Sequence, residues 1–210
     1  MQIINIDVCK CPSGEFRIEY IRCFPLQKLV IAAGVLRKIT LNHPNVFNPA
    51  FSGGALADIN IYNLHYVIGL FGKPKTVHYY ANKHANGIDT SGVVLMQYDG
   101  FQAVCVGCKD TRSECIAQIQ GEKGFITMRS ETSRCAAYTI QIGRERAEHP
   151  SIVQNDVALY YELQDFRDIY KLDDYERCTQ LLAYSRTVME VYEAARRDAG
   201  IVFAADRNGL

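Results

Sequence analysis

The chain has 210 residues and a mass of 23.7 kDa, with 23 basic and 23 acidic side chains, eight cysteines and no tryptophan. At 48% apolar and 22% charged it has the composition of a soluble globular protein, long enough for one core or two small ones. Its zero net charge leaves no electrostatic footprint for nucleic acid or an anionic membrane, and no apolar run nears the ~20 residues that span a bilayer. Met1 to Cys11 has no basic region leading into an apolar core, so no secretory signal and a cytosolic location are expected.

In chain order, Glu15–Arg22 alternates Phe16, Ile18 and Tyr20 with Arg17 and Glu19, a short strand pattern. Leu26–Lys38 reads as helical, with Leu26, Leu29, Val30 and Ala33 at helical spacing until Gly34 weakens it. Turns follow at Asn42-His43-Pro44-Asn45 and at Asn48-Pro49. Ser52 is a plausible N-cap for a helix over Ala55–Phe71, whose stripe is Leu56, Ile59, Leu64, Val67, Ile68 and Phe71; Gly72 and Pro74 end it.

Strand patterns then come in quick succession: Thr76–Ala81, Val93–Tyr98, Gln102–Lys109, Glu114–Gln120, Gly124–Met128 and Tyr138–Ile142. Asp99-Gly100 and Glu122-Lys123-Gly124 are hairpin turns, and connections this short require antiparallel pairing. Arg144–Gln154 is a polar linker to two helices, Val157–Tyr170 and Tyr175–Ala199. In the first, Leu159, Leu163, Phe166 and Tyr170 share one register. The fold class is therefore α+β: an open, mainly antiparallel sheet of about six strands with helices on one face. A sheet covered on one side leaves the other for a second subunit, so a homodimer through that face is expected.

The cysteines form no site. Cys105-Val106-Gly107-Cys108 has CxxC spacing, but it lies in a strand, where positions three apart face opposite sides. Neither a second CxxC nor paired histidines complete a tetrahedral site, so reduced, mostly buried thiols and no metal are expected.

Asp58, Tyr62 and His65 carry the chemistry. Four and three residues apart on a helix, they share one stripe and aim a carboxylate, a phenol and an imidazole at one patch. A phenol can give or take a proton while a carboxylate orients a polar substrate. The same spacing also serves a hydrogen-bonded cluster over the core.

From Phe47 to about Ile201 the chain resembles the C-terminal domain of the glucose–fructose oxidoreductase / inositol dehydrogenase / rhizopine-catabolism (Gfo/Idh/MocA) family, a domain of the glyceraldehyde-3-phosphate-dehydrogenase type. The match is carried by Gly53-Gly54-Ala55-Leu56 with Asp58, Tyr62 and His65, by Phe71-Gly72-Lys73-Pro74, Tyr98-Asp99-Gly100 and Gln120-Gly121-Glu122-Lys123-Gly124, and by the closing helix around Ser185–Ala195. The resemblance implies an NAD- or NADP-dependent oxidoreductase of sugars, polyols or related alcohols, whose second domain holds substrate and forms the dimer interface. It makes Tyr62 the proton donor or acceptor, Asp58 the residue that positions substrate, and His65 a substrate contact.

Two parts of the family pattern are absent from the sequence: the Gly-rich turn of a dinucleotide-binding domain and the catalytic Lys of a Glu-Lys-Pro motif. Lys73-Pro74 follows the site helix and does not replace it. The expectation is a diverged segment over residues 1–46, a substrate-binding and dimerisation domain over 47–210, and neither cofactor binding nor hydride transfer by this chain alone. The alternative is a non-catalytic dimerisation or carbohydrate-binding module on the same sheet.

Overall fold

A computed structural model describes residues 26–34, 48, 53–134, 137–150, 155, 157 and 159–207. Eight strands form one sheet: β1 (Leu26–Gly34), β2 (Thr76–Lys83), β3 (Asp89–Gln97), β4 (Gln102–Cys108), β5 (Ile116–Gly121), β6 (Gly124–Met128), β7 (Ala137–Ile142) and β8 (Glu145–Pro150). Their order across the sheet is β2-β3-β4-β1-β5-β6-β7-β8. A π-helical turn, Leu56–Asn60, leads into α1 (Ile61–Phe71); α2 (Tyr160–Leu172), α3 (Tyr175–Asp198) and the short α4 (Ala204–Arg207) follow the sheet. The architecture is α+β and mainly antiparallel.

Two expectations are corrected. Leu26–Lys38 is not a helix: Leu26–Gly34 is a strand at the centre of the sheet, parallel to β4 and antiparallel to β5. Part of the stretch before residue 47 thus belongs to the sheet. The supposed linker after Arg144 opens as β8, an edge strand antiparallel to β7, so eight strands replace about six. The strand expected at Glu15–Arg22 and the N-cap expected at Ser52 lie outside the described residues.

The core lies between the sheet and its helices. Leu64, Val67 and Ile68 of α1, with Val188, Val191, Tyr192 and Ala195 of α3, close over Val94 and Met96 of β3, Ala103 and Cys105 of β4, and Ala117 and Ile119 of β5. Cys105 is buried in this core while Cys108 is half-buried, as their opposite faces require, and both are free thiols. Beyond the end of α1, Phe71 packs edge-on to Tyr98 and Phe101, which stack at 4.7 Å, and Tyr98 donates its hydroxyl hydrogen to the Gly72 carbonyl at 2.8 Å. The helix-end and hairpin motifs are thereby one clamp that fixes α1 along the sheet.

A second set of contacts fixes α3. Asp198 accepts from the Tyr79 N–H at 2.9 Å and ties the helix to edge strand β2. Buried Arg196 pairs with Glu193 and Asp206, donates to the Ile201 carbonyl at 2.7 Å and lies 4.6 Å from the Phe203 ring centroid. By contrast, α2 buries none of its residues, and Leu163, Phe166 and Tyr170 stand exposed.

Candidate functional site

The site helix starts from a turn that only glycine can make. Gly53 and Gly54 have φ of 147° and 95°, a left-handed region that side chains disfavour. A Cβ on Gly54 would also fall 1.9 Å from Asp89 Oδ1. Asp89 opens β3 and is almost wholly buried; its Oδ2 accepts from the Leu56 N–H at 2.6 Å and from the Tyr79 hydroxyl at 2.7 Å. Its Oδ1 has no hydrogen-bond partner among the described residues. Burial pushes the Asp89 carboxyl above the usual carboxylate range, against the opposing effect of the Tyr79 and Leu56 hydrogen bonds.

The inner stripe of the helix is polar as well as apolar. Asn60 and Asn63 are fully buried: Asn63 donates to Asn60 Oδ1 at 2.9 Å and to the Val106 carbonyl at 3.3 Å, and Asn60 donates to the Gly92 carbonyl at 3.4 Å. Thr132 donates to Asn63 Oδ1 at 3.2 Å. The helix can come this close because Gly107 lies beneath it, where a Cβ would sit 2.6 Å from the Asn60 side chain. Directional bonds from helix to sheet fix the helix rotation in a way that apolar contacts alone would not.

With Asn60 and Asn63 turned inward, Asp58 and Tyr62 turn out. Asp58 is half exposed and forms an ion pair with Lys109, just beyond β4, whose side chain is only 6% exposed. A buried ammonium beside it holds the carboxylate at one place over the helix. Tyr62 is 55% exposed, and its hydroxyl has no hydrogen-bond partner among the described residues. His65 goes elsewhere. It is half-buried against α3, its ring centroid 5.4 Å from that of Tyr184 and its Nδ1 3.2 Å from the Tyr184 hydroxyl.

That hydroxyl gives its one hydrogen to the His65 carbonyl at 2.6 Å. The network therefore assigns the His65 proton to Nδ1, donating to Tyr184, and leaves Nε2 as an acceptor. Burial lowers the His65 pKa, which favours this neutral form. Asp58 and Tyr62 are thus both exposed on the site helix, while His65 fastens α1 to α3.

Sequence reading missed Asn60, Asn63, Asp89, Lys109 and Tyr184. Glycines within β3 and β4, at Gly92 and Gly107, were the available signal, since a glycine inside a strand marks a close approach of another backbone or side chain. The helix start at Leu56 does not fit a pyrophosphate, which would need its free N–H groups, because the Asp89 carboxyl group already binds the Leu56 N–H. No group of three or more His, Cys, Asp or Glu side chains able to hold a metal occurs among the described residues, and none of the described helices is long and apolar enough to cross a membrane.

A mainly antiparallel sheet with helices packed on it, and a Gly-Gly turn leading into the helix of Asp58 and Tyr62, are the features of an oxidoreductase C-terminal domain. Residues 31–127 match the GFO/IDH/MocA C-terminal domain, the resemblance that the sequence motifs carry. It is 34% identical over 163 residues to scyllo-inositol 2-dehydrogenase (NADP(+)) IolU of Bacillus subtilis, a match covering 78% of this chain and 49% of that protein. To the uncharacterized oxidoreductase YgjR of Escherichia coli it is 30% identical over 203 residues, covering 88% of this chain and 61% of the relative. The chain thus spans about half to three-fifths of the length of these relatives. Among solved structures, the aldose-aldose oxidoreductase from Caulobacter crescentus, complexed with glycerol, superposes with a TM-score of 0.63 at 20% identity, covering 82% of this chain and 54% of that one; this likeness concerns the fold.

Proposed function

We propose that the chain is the substrate-binding and dimerisation domain of an NAD- or NADP-dependent oxidoreductase acting on sugars or polyols. The observation that carries this reading is the Tyr62 hydroxyl, exposed and without a hydrogen-bond partner among the described residues, one turn from a carboxylate held by a buried lysine. In it, Asp58 accepts a hydrogen bond from one substrate hydroxyl and sets its orientation. On reduction the Tyr62 hydroxyl donates its proton to the substrate oxygen and is left as a phenolate, and in the oxidation direction that phenolate takes the proton from the reacting hydroxyl. His65 Nε2 is the remaining acceptor on the α3 side. In this reading the hydride acceptor is held outside the Leu56 helix start, whose N–H is bound by Asp89.

The relatives support the substrate class, one being named for scyllo-inositol and a fold neighbour for aldoses. The sheet supports dimerisation. The side that no described helix covers carries Val93, Leu95, Val104 and Val106 with Gln118, Gln120 and Thr139, all half-buried: a mixed surface suited to a second copy.

The test is to titrate scyllo-inositol into the chain while following 13C-labelled tyrosine by NMR. Binding that shifts the Tyr62 resonance is expected, with Tyr62→Phe weakening it about 5- to 10-fold, the effect of one lost hydrogen bond of ~1 kcal/mol. Inositol binding that Tyr62→Phe leaves unchanged would instead identify a non-catalytic carbohydrate-binding module. Micromolar binding of NADPH by this chain alone would overturn the division of labour.

A further inference from the structure

The Gly-Gly turn, the buried carboxylate beneath it and the π-helical turn after it form one device. Asp58 lies within the π-helical turn Leu56–Asn60 while Tyr62 lies in the regular α-helix that follows. Their relative placement therefore depends on where the π geometry ends. A π turn is uncommon, because it underwinds the chain and loosens the packing along the helix axis, and it persists only where its surroundings hold it.

Here three contacts do so. Gly54 lets the chain pass over Asp89, the Leu56 N–H is bound by Asp89 Oδ2, and Asn60 at the far end of the turn is seated over Gly107 and bonded to the Gly92 carbonyl. Tyr79, from β2, anchors the carboxylate from the other side, and the Tyr79 ring fills the space beside Gly92. No ordinary N-cap side chain is present; the cap comes from a strand 33 residues away. The second carboxylate oxygen, Oδ1, is buried without a partner among the described residues. A fold rarely retains such a group without a function to offset its desolvation.

We propose that Asp89 is the positioning residue of this site, holding the π-helical turn in the geometry that places Asp58 against Lys109 and on the same open patch as Tyr62. It touches neither substrate nor reacting atoms and acts through the helix. This inference rests on the reading of Asp58 and Tyr62 as the site, and it adds a residue that neither the spacing nor the family match assigns.

The test reads geometry without any ligand, so its outcome is separate from that of the inositol titration. In 15N-labelled protein, the Lys109 ammonium resonance reports its pairing with Asp58, and hydrogen exchange at the Leu56 amide reports the cap. Asp89→Asn keeps an acceptor of the same shape and is expected to retain both signals. Asp89→Leu fills the volume without an acceptor; it is expected to lose or average the Lys109 signal and to speed Leu56 exchange at least ~10-fold, the result of losing about 1.4 kcal/mol of local protection. Amide shifts of β6 and β7 show whether the sheet is intact. Should Asp89→Leu fail to fold, Tyr79→Phe decides, since it removes one anchor of the carboxylate and is expected to shift the Lys109 signal. An unchanged Lys109 resonance in a folded Asp89→Leu, or in Tyr79→Phe where that variant decides, overturns the proposal, as does loss of the signal in Asp89→Asn.

Discussion

Asp89 also sets a pH dependence whose sign follows from its surroundings. Burial raises its folded-state pKa, so the folded chain holds this proton more tightly than the unfolded chain does. The group's contribution to stability is therefore complete below its unfolded value of ~3.9 and is lost as pH rises through the folded value. The titratable neighbours that face it are Tyr79 and Tyr192, both pushed upward by burial, Tyr192 to about 12, so neither changes charge in this range. Asp89→Asn carries no charge at any pH. The urea midpoint of the variant relative to the original chain is expected to rise between pH 4 and pH 7, and a constant difference would refute the assignment. At this scale, helical spacing, being local, made it legible that Asp58, Tyr62 and His65 share one helical stretch, whereas the turn of His65 toward Tyr184 was not legible. Lys109 and Asp89 were not, since they meet the helix from 51 and 33 residues away and nothing local marks either as a partner.

Elements differ in how much of their sequence pattern the fold uses. The apolar stripe of α1 is buried: Leu64 has no exposed surface, and Leu64→Ala is expected to cost about 3 kcal/mol through transfer and cavity terms. The stripe of α2 looks equally regular in sequence, yet Phe166 is 55% exposed, and Phe166→Ala is expected to cost under about 0.5 kcal/mol. Urea titrations of the two variants check the contrast; similar losses would mean that the α2 stripe is covered. Strands β2 to β7 were legible from alternation and hairpin turns. Strand β1 was not: a central strand paired on both sides reads as a continuous apolar run, and Leu26, Leu29, Val30 and Ala33 also satisfy helical spacing. Strand β8 was hidden for the opposite reason. As an edge strand it carries Glu145, Arg146, Glu148 and a terminal Pro150, the charges and proline that keep edges from pairing further and that resemble a linker.

For the molecule as a whole, the sheet face that no described helix covers is the surface on which the proposed dimerisation is tested. Sedimentation equilibrium is expected to find a dimer, and Leu95→Glu, which sets a charge among Val93, Val104 and Val106, to yield a monomer with the fold intact. A monomer for the unaltered chain at tens of micromolar would remove the dimerisation half of the proposed function. The α+β class and the one-sided layering were legible in the sequence because consecutive strands with short turns must pair antiparallel. The order of the strands was not, because it depends on where β1 inserts.

That insertion has a consequence for how the chain folds. Strands β2–β4 and β5–β8 are two antiparallel meanders, each built from neighbours in sequence, and β1 is hydrogen-bonded to both along its length. Each meander can form from local contacts, but joining them requires a strand that pairs with residues 74 to 95 positions away, from Lys28 with Gln102 to Leu26 with Gly121. Closing loops of that size is entropically unfavourable until both edges of β1 are satisfied, so docking of this strand between the two meanders is expected to be the slow step of refolding. Until it docks, β4 and β5 would each present an open edge to any other extended chain. A slow phase in stopped-flow refolding, with misassembly rising with protein concentration during that phase, is the expected sign.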